Sequence, residues 1–119
     1  MFDESHKDRA NELSREVIGA AIEVHRHLGP GLLESAYEAC LCHELDLRGI
    51  PYVSQLELPV RYKGTLVDCA FRIDILVDGI LLLEQKAVEK LDRIHLAQTM
   101  TYLRLKQVWL GLLINFNSE

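Results

Sequence analysis

Residues 80–116 constrain the fold more than any other stretch. ILLLEQKAV (80–88) is a mostly apolar run. DRIHLAQTMTYLRLK (92–106) reads as a helix capped by Asp92, and VWLGLLINF (108–116) is apolar almost throughout, as a strand buried on both faces would be. A strand, a helix and a strand imply a parallel pair joined by a right-handed crossover. Two such strands cannot stand alone, so a sheet with helices packed on it must surround them.

The remainder supplies those parts. Residues 5–28 place Leu13, Val17, Ala21, Val24 and Leu28 at helical spacing, and Gly29-Pro30 ends that helix. Gly31 is the expected N-cap of a second helix running to about Arg48, with Leu33, Tyr37, Leu41 and Leu45 on its inner face. Residues 52–64 read as a strand that Pro59 confines to an edge or a bulge. Residues 65–77 read as a second strand, long enough to bend, and Asp78-Gly79 as a hairpin turn into the third strand, 80–88. The expected order is α-α-β-β-β-α-β, with helices on both faces of a small mixed sheet.

The 119 residues suit one domain, 1–119, and 49% hydrophobic content supports a folded core. No apolar run approaches the roughly 18 residues that span a bilayer. MFDESHKDRANEL lacks the apolar centre of a signal peptide, so a soluble cytoplasmic protein with no membrane contact is expected. Cys40, Cys42 and Cys69 are an odd set and read as free thiols. With His43 they could be imagined around zinc, but helical residues two apart do not face the same way. The net charge of −5 excludes a strongly basic nucleic-acid binder. It counts mildly against a nuclease, although an acidic metal site is negative before its cation binds and a local basic strip can survive an acidic average.

Within the third strand, LLLEQKAV (81–88) places Glu84 and Lys86 on one face and Gln85 on the other. Asp74 lies on the preceding strand, and the hairpin decides whether it joins them. A two-residue loop closed by Val77 and Ile80 puts Asp74 and Glu84 on opposite faces. A three-residue loop, Val77-Asp78-Gly79, or a bulge of equal effect, puts Asp74 on the same face as Glu84, about 7–8 Å away on the diagonal. Two carboxylates so placed suit a hard divalent cation. A metal-activated water can attack a phosphodiester, and Lys86 can stabilise the charge that builds on the phosphate. The plainer reading pairs Asp74 with Arg72 or Arg61, and Glu84 with Lys86, on a solvated surface.

Asp74 followed after nine residues by Glu84-Gln85-Lys86 resembles the core motif of the PD-(D/E)XK nuclease superfamily. GLLESAY (31–37) resembles the GxxExxY signature that names one family within it, and HRHLGPGLLESAYEACL and HLAQTMTYLRL resemble that family too. The resemblance covers about Leu13 to Asn117. Ile73 stands where the superfamily motif has proline, a position that varies widely. The resemblance implies a three-layer α/β/α restriction-endonuclease-like fold around a mixed four-stranded sheet. It implies Mg²⁺ or Mn²⁺ on Asp74 and Glu84, with Glu34 as a further acid and metal ligand. Lys86 would be base or charge stabiliser, and Gln98 and Tyr102 would form a QxxxY pair lining the site. The implied activity is metal-dependent nucleic-acid hydrolysis, with DNA the expected substrate and a homodimer compatible. The alternative is a nuclease-like module that binds nucleic acid or a protein without cutting.

The auxiliary residues also have simpler uses. Glu34 at the third position of a helix capped by Gly31 would bond back to the cap. Tyr102 would serve as packing, His95 as a surface residue and Trp109 as core. His25 and His27 would offset the negative end of the first helix.

Overall fold

The computed structural model describes residues 2–67 and 71–117. Three helices, α1 (Glu4–Leu28), α2 (Glu34–Leu47) and α3 (Arg93–Lys106), accompany six strands: β1 (Tyr52–Glu57), β2 (Val60–Tyr62), β3 (Thr65–Val67), β4 (Arg72–Val77), β5 (Leu81–Lys86) and β6 (Leu110–Asn115). The main sheet has the order β1-β4-β5-β6, with β2 and β3 forming a separate hairpin. β1–β4 and β4–β5 are antiparallel, and β5–β6 is the expected parallel pair.

The sheet is the middle of three layers. Leu13, Val17, Ala20, Ala21 and Val24 of α1 and Tyr37, Leu41 and Leu45 of α2 pack with Ile75, Val77, Leu81 and Leu83. On the opposite face Tyr102 of α3 packs with Leu76, Leu82, Ile73 and Leu58. Strand alternation divides β5 between the two cores: Leu81 and Leu83 to one, Leu82 to the other.

The element order carries one hairpin more than expected. Pro59 ends the first strand rather than bending it, since proline offers no ladder donor. The expected strand 65–77 is β3 and β4, and residues 68–70 between them, Cys69 included, lie outside the described residues. β6 is half-buried along its length rather than buried on both faces, because it is the last strand of the sheet. Trp109 is likewise half-buried, with Lys7 Nζ 5.6 Å from its ring centroid.

α2 begins later than expected. Leu33 precedes its first residue, Glu34, and makes no side-chain cap bond. Gly31 instead shapes the approach: its φ is +102°, where side chains fit poorly, and its N–H donates to Asn117 Oδ1 at 3.1 Å. Tyr37, fully buried, secures the same loop. Its hydroxyl donates to the Gly29 carbonyl (2.5 Å) and accepts from Leu32 N–H (3.1 Å), and its ring stacks on Phe116 at 4.7 Å. The glycine and tyrosine of the GxxExxY stretch thus fix the loop that delivers Glu34.

Tyr37→Phe keeps the ring stack and leaves the half-buried Gly29 carbonyl and the Leu32 amide without their partner. Urea denaturation of this variant is expected to show a loss of about 1–3 kcal/mol.

Candidate active site

The β4–β5 turn sets the register of the site. Asp78 and Gly79 have φ of +50° and +70°, and Ile80 N–H donates to the Val77 carbonyl at 3.0 Å. That closes a two-residue turn. Pairing then runs Val77↔Leu81, Leu76↔Leu82 and Ile75↔Leu83, so Ile80 is an extra, bulged residue. The bulge moves the register by one and reverses the consequence of a plain two-residue loop. Asp74 falls directly opposite Glu84, closer than the diagonal neighbour a three-residue loop over 77–79 would give.

The two acids hold the strands together where the ladder stops. Glu84 Oε2 accepts from Asp74 N–H at 2.7 Å, and Asp74 Oδ2 accepts from Gln85 N–H at 2.9 Å. Each carboxylate substitutes for a backbone acceptor on the facing strand. Neither is a solvated surface group paired with an arginine. Glu84 is only 4% exposed, Asp74 is half-buried, and Arg72 lies 3.9 Å from Glu57. Lys86 is half-buried at the end of β5, and its charge acts on both acids.

α2 and β1 close one side. Glu34 is not a helix cap: its Oε1 accepts from Ala87 N–H at 3.2 Å, just beyond β5. Gln85, pointing away from Glu84, donates from Nε2 to the Glu34 carbonyl at 3.2 Å, and its buried Oε1 has no protein partner. Glu38 lies one helical turn after Glu34. Gln55 Nε2 donates to Glu38 Oε1 and Oε2 at 2.8 and 3.1 Å, and the Gln55 amide lies near enough to Asp74 to favour its charged form. Gln55 has φ +51° in the middle of β1, across from Asp74. That conformation costs a side-chain-bearing residue roughly 1–2 kcal/mol. Such strain is tolerated where the surrounding contacts fix it, and it gathers at functional sites.

α3 closes the other side. Gln98 Nε2 donates to the Tyr102 hydroxyl at 2.9 Å, and Tyr102 is 4% exposed. Tyr102 is therefore a packing residue and a neighbour of the acids at once, since the charges of Glu84 and Asp74 act on its hydroxyl. His95 accepts from Asp92 N–H through Nδ1, completing a helix capping box. Glu38, Gln55 and the head of Gln85 escaped the sequence reading. Glu38 had a usable signal, lying four residues after Glu34 on the same helix face. Gln55 had none, since its role depends on a local backbone twist. Cys40 is exposed and Cys42 half-buried, both free, and no zinc cluster forms among the described residues. A cavity of about 580 Å³ lies elsewhere, between Phe2, Met100 and Trp109.

Four acids crowd this end of the sheet. Burial pushes Glu84 up from 4.5 to about 7, with the Asp74 and Glu38 charges adding to it and the Asp74 N–H and Lys86 opposing. Burial also raises Asp74, where the Glu34 charge adds and the Gln85 N–H, Lys86 and Gln55 oppose. Glu38 is raised by burial and by the Asp74 and Glu34 charges, against its bond from Gln55.

A divalent cation suits such a set, since its charge would remove the cost of ionising neighbouring acids. The donors are hard oxygens, as Mg²⁺ and Mn²⁺ prefer. Among the described residues no group of three or more His, Cys, Asp or Glu side chains could hold an ion, so Glu34 does not complete a three-acid set. Asp74 and Glu84 would be the residues to hold such an ion. Mg²⁺ commonly uses one or two carboxylates, with water and substrate phosphate as the other ligands.

A three-layer α/β/α domain with acids facing across two central strands and a lysine beside them defines a nuclease-type fold. Residues 11–119 match the sequence model described as the PD-(D/E)XK nuclease superfamily. The chain belongs to that superfamily, and its fold is restriction-endonuclease-like. Members of this superfamily generally depend on divalent metals and act on nucleic acid. No curated protein and no solved structure matches the chain.

A carboxyl whose pKa is higher in the folded chain stabilises the fold below its unfolded pKa and loses that contribution as pH rises through the folded value. For Glu84 that window runs from 4.5 to about 7. Metal-free protein is expected to lose up to about 3 kcal/mol of stability between pH 5 and 8 through this group. Glu84→Gln flattens the slope, and Mn²⁺ restores stability at pH 8 but not at pH 5. Thermal melts across pH, with and without Mn²⁺, check both statements.

Proposed function

We propose that this protein is a divalent-metal-dependent nuclease that hydrolyses phosphodiester bonds in DNA, and that it belongs to the GxxExxY branch of its superfamily. The observation that carries the proposal is the reciprocal lock of Asp74 and Glu84 across β4 and β5, with Lys86 two residues beyond. Burying two carboxylates and raising their pKa costs stability, which a surface ion pair worth about 0–1 kcal/mol would not justify.

In this reading Asp74 and Glu84 hold Mg²⁺ or Mn²⁺, with Glu34 an outer acid of the same cleft. The bound cation would polarise the phosphate and acidify a water. Lys86 offers its ammonium to the negative charge developing on the phosphate. Gln98 holds the Tyr102 hydroxyl beside Glu84, where it can orient a substrate oxygen. The Gln85 N–H holds the Asp74 carboxylate in place, and Gln55 holds Glu38 beside it.

One observation favours a second reading. No three-acid group forms among the described residues, which suits a module that binds nucleic acid or a protein without cutting. A homodimer is also proposed, with β6, apolar and at the sheet edge, as the strand best suited to pair. Its test is the solution mass. A cytoplasmic location is part of the same proposal. No helix among the described residues is long and apolar enough to cross a membrane.

Calorimetric titration of Mn²⁺ and Mg²⁺ into the wild type and Asp74→Ala, followed by cleavage assays on DNA and RNA, tests the proposal. Cation binding is expected in the wild type and lost in Asp74→Ala. Lys86→Ala is expected to retain cation binding while cleavage falls roughly 100- to 1000-fold. A wild type that binds no cation and cuts neither polymer would leave only the second reading.

A further inference from the structure

A chain of net charge −5 must still approach a polyanion, and its charge is unevenly divided. Residues 1–57 carry eleven acids against five lysines and arginines, whereas residues 58–119 carry seven against eight. The negative excess therefore belongs to α1, α2 and β1.

The β2–β3 hairpin stands in the other half and at the site's end of the sheet. Glu57 and Arg72 are paired there, two residues from Asp74, and Leu58 N–H donates to the Phe71 carbonyl at 2.9 Å, carrying the pairing outward. Leu58 packs with Tyr102, and Phe71 lies 6.2 Å from the Tyr102 ring, so the hairpin base rests on α3 beside the acids. From Leu58 to Lys63 the strand can reach roughly 16 Å.

This arm has an unusual surface. Residues 58–67 contain Arg61 and Lys63 and no acid. Both bases are exposed, and neither forms an ion pair among the described residues. Between them Tyr62 is 63% exposed, and Leu66 is 57% exposed. Lys63 Nζ lies 5.4 Å from the Tyr62 ring centroid, which keeps cation and ring on one surface. Exposed aromatic rings flanked by bases serve single-stranded nucleic acids, the ring stacking on a base and the cations tracking phosphates. A duplex hides its base faces from such a ring.

Building on the nuclease reading, we propose that the β2–β3 hairpin grips the substrate, with Arg61 and Lys63 on phosphates and Tyr62 stacked on an unpaired base. The preferred substrate is thus a single strand, or a duplex with a single-stranded segment beside the cleaved bond.

The test is fluorescence anisotropy with labelled single-stranded and blunt duplex DNA, in EDTA so that nothing is cut, across a range of salt. The full chain is expected to bind the single strand more tightly. Tyr62→Ala is expected to weaken single-strand binding roughly 10-fold with little effect on the duplex. Arg61→Ala with Lys63→Ala is expected to lower the slope of log affinity against log salt by about 1.4, two phosphate contacts' worth. These are exposed positions, and an unchanged melting temperature confirms the fold. Wild-type binding that none of these substitutions alters overturns the hairpin's role and leaves the nuclease reading standing. Loss of binding to anionic vesicles in the same variants, with no oligonucleotide bound by the wild type, overturns both.

Discussion

The rest of the site depends on an exchange of hydrogen bonds between two strands. Glu84 accepts from the Asp74 amide and Asp74 accepts from the Gln85 amide. Where an antiparallel ladder would continue with carbonyl acceptors, two carboxylates continue it instead. This fixes the separation and direction of the acids without another element having to press on them. It also explains how charge is tolerated inside LLLEQK: a buried carboxylate that accepts backbone N–H bonds is partly compensated. The compensation is incomplete, as the rise of Glu84 to about 7 indicates. Positive charge is what the site still lacks.

Everything around this exchange makes it possible or sharpens it. The bulge at Ile80 brings Asp74 opposite Glu84. The change of side along β4, with Ile73 in one core and Ile75 in the other, marks where the strands part to admit the carboxylates. Gln55 takes up a left-handed conformation opposite Asp74 and bonds Glu38. Tyr37 and Gly31 shape the loop that brings Glu34 to the end of β5.

The sheet and its helices were largely legible in the sequence because hydrophobic period and turn residues are local signals. The helix from Asp92 to Lys106 and the parallel β5–β6 pair follow from pattern alone. The extra hairpin did not, since Pro59 is compatible with a bend, a bulge or a stop. Of the site, Asp74, Glu84 and Lys86 were legible from their spacing, yet their convergence was not. It turns on a single bulged residue that Asp78-Gly79 neither requires nor forbids. Glu34 was legible as a site acid or as a cap; the cap reading fails because α2 begins at Glu34 itself, after Leu33, so the residue is not three positions past its N-cap. Gln55 depends on a backbone twist that no residue type announces.

The most direct measurement is a crystal structure of the protein grown with Mn²⁺, with data collected at the manganese absorption edge. The account predicts one anomalous peak between Asp74 and Glu84, roughly 2.0–2.2 Å from an oxygen of each, with the hydrogen bond from the Asp74 N–H to Glu84 Oε2 retained. Manganese bound elsewhere, or none with both carboxylates still on the backbone amides alone, would contradict it.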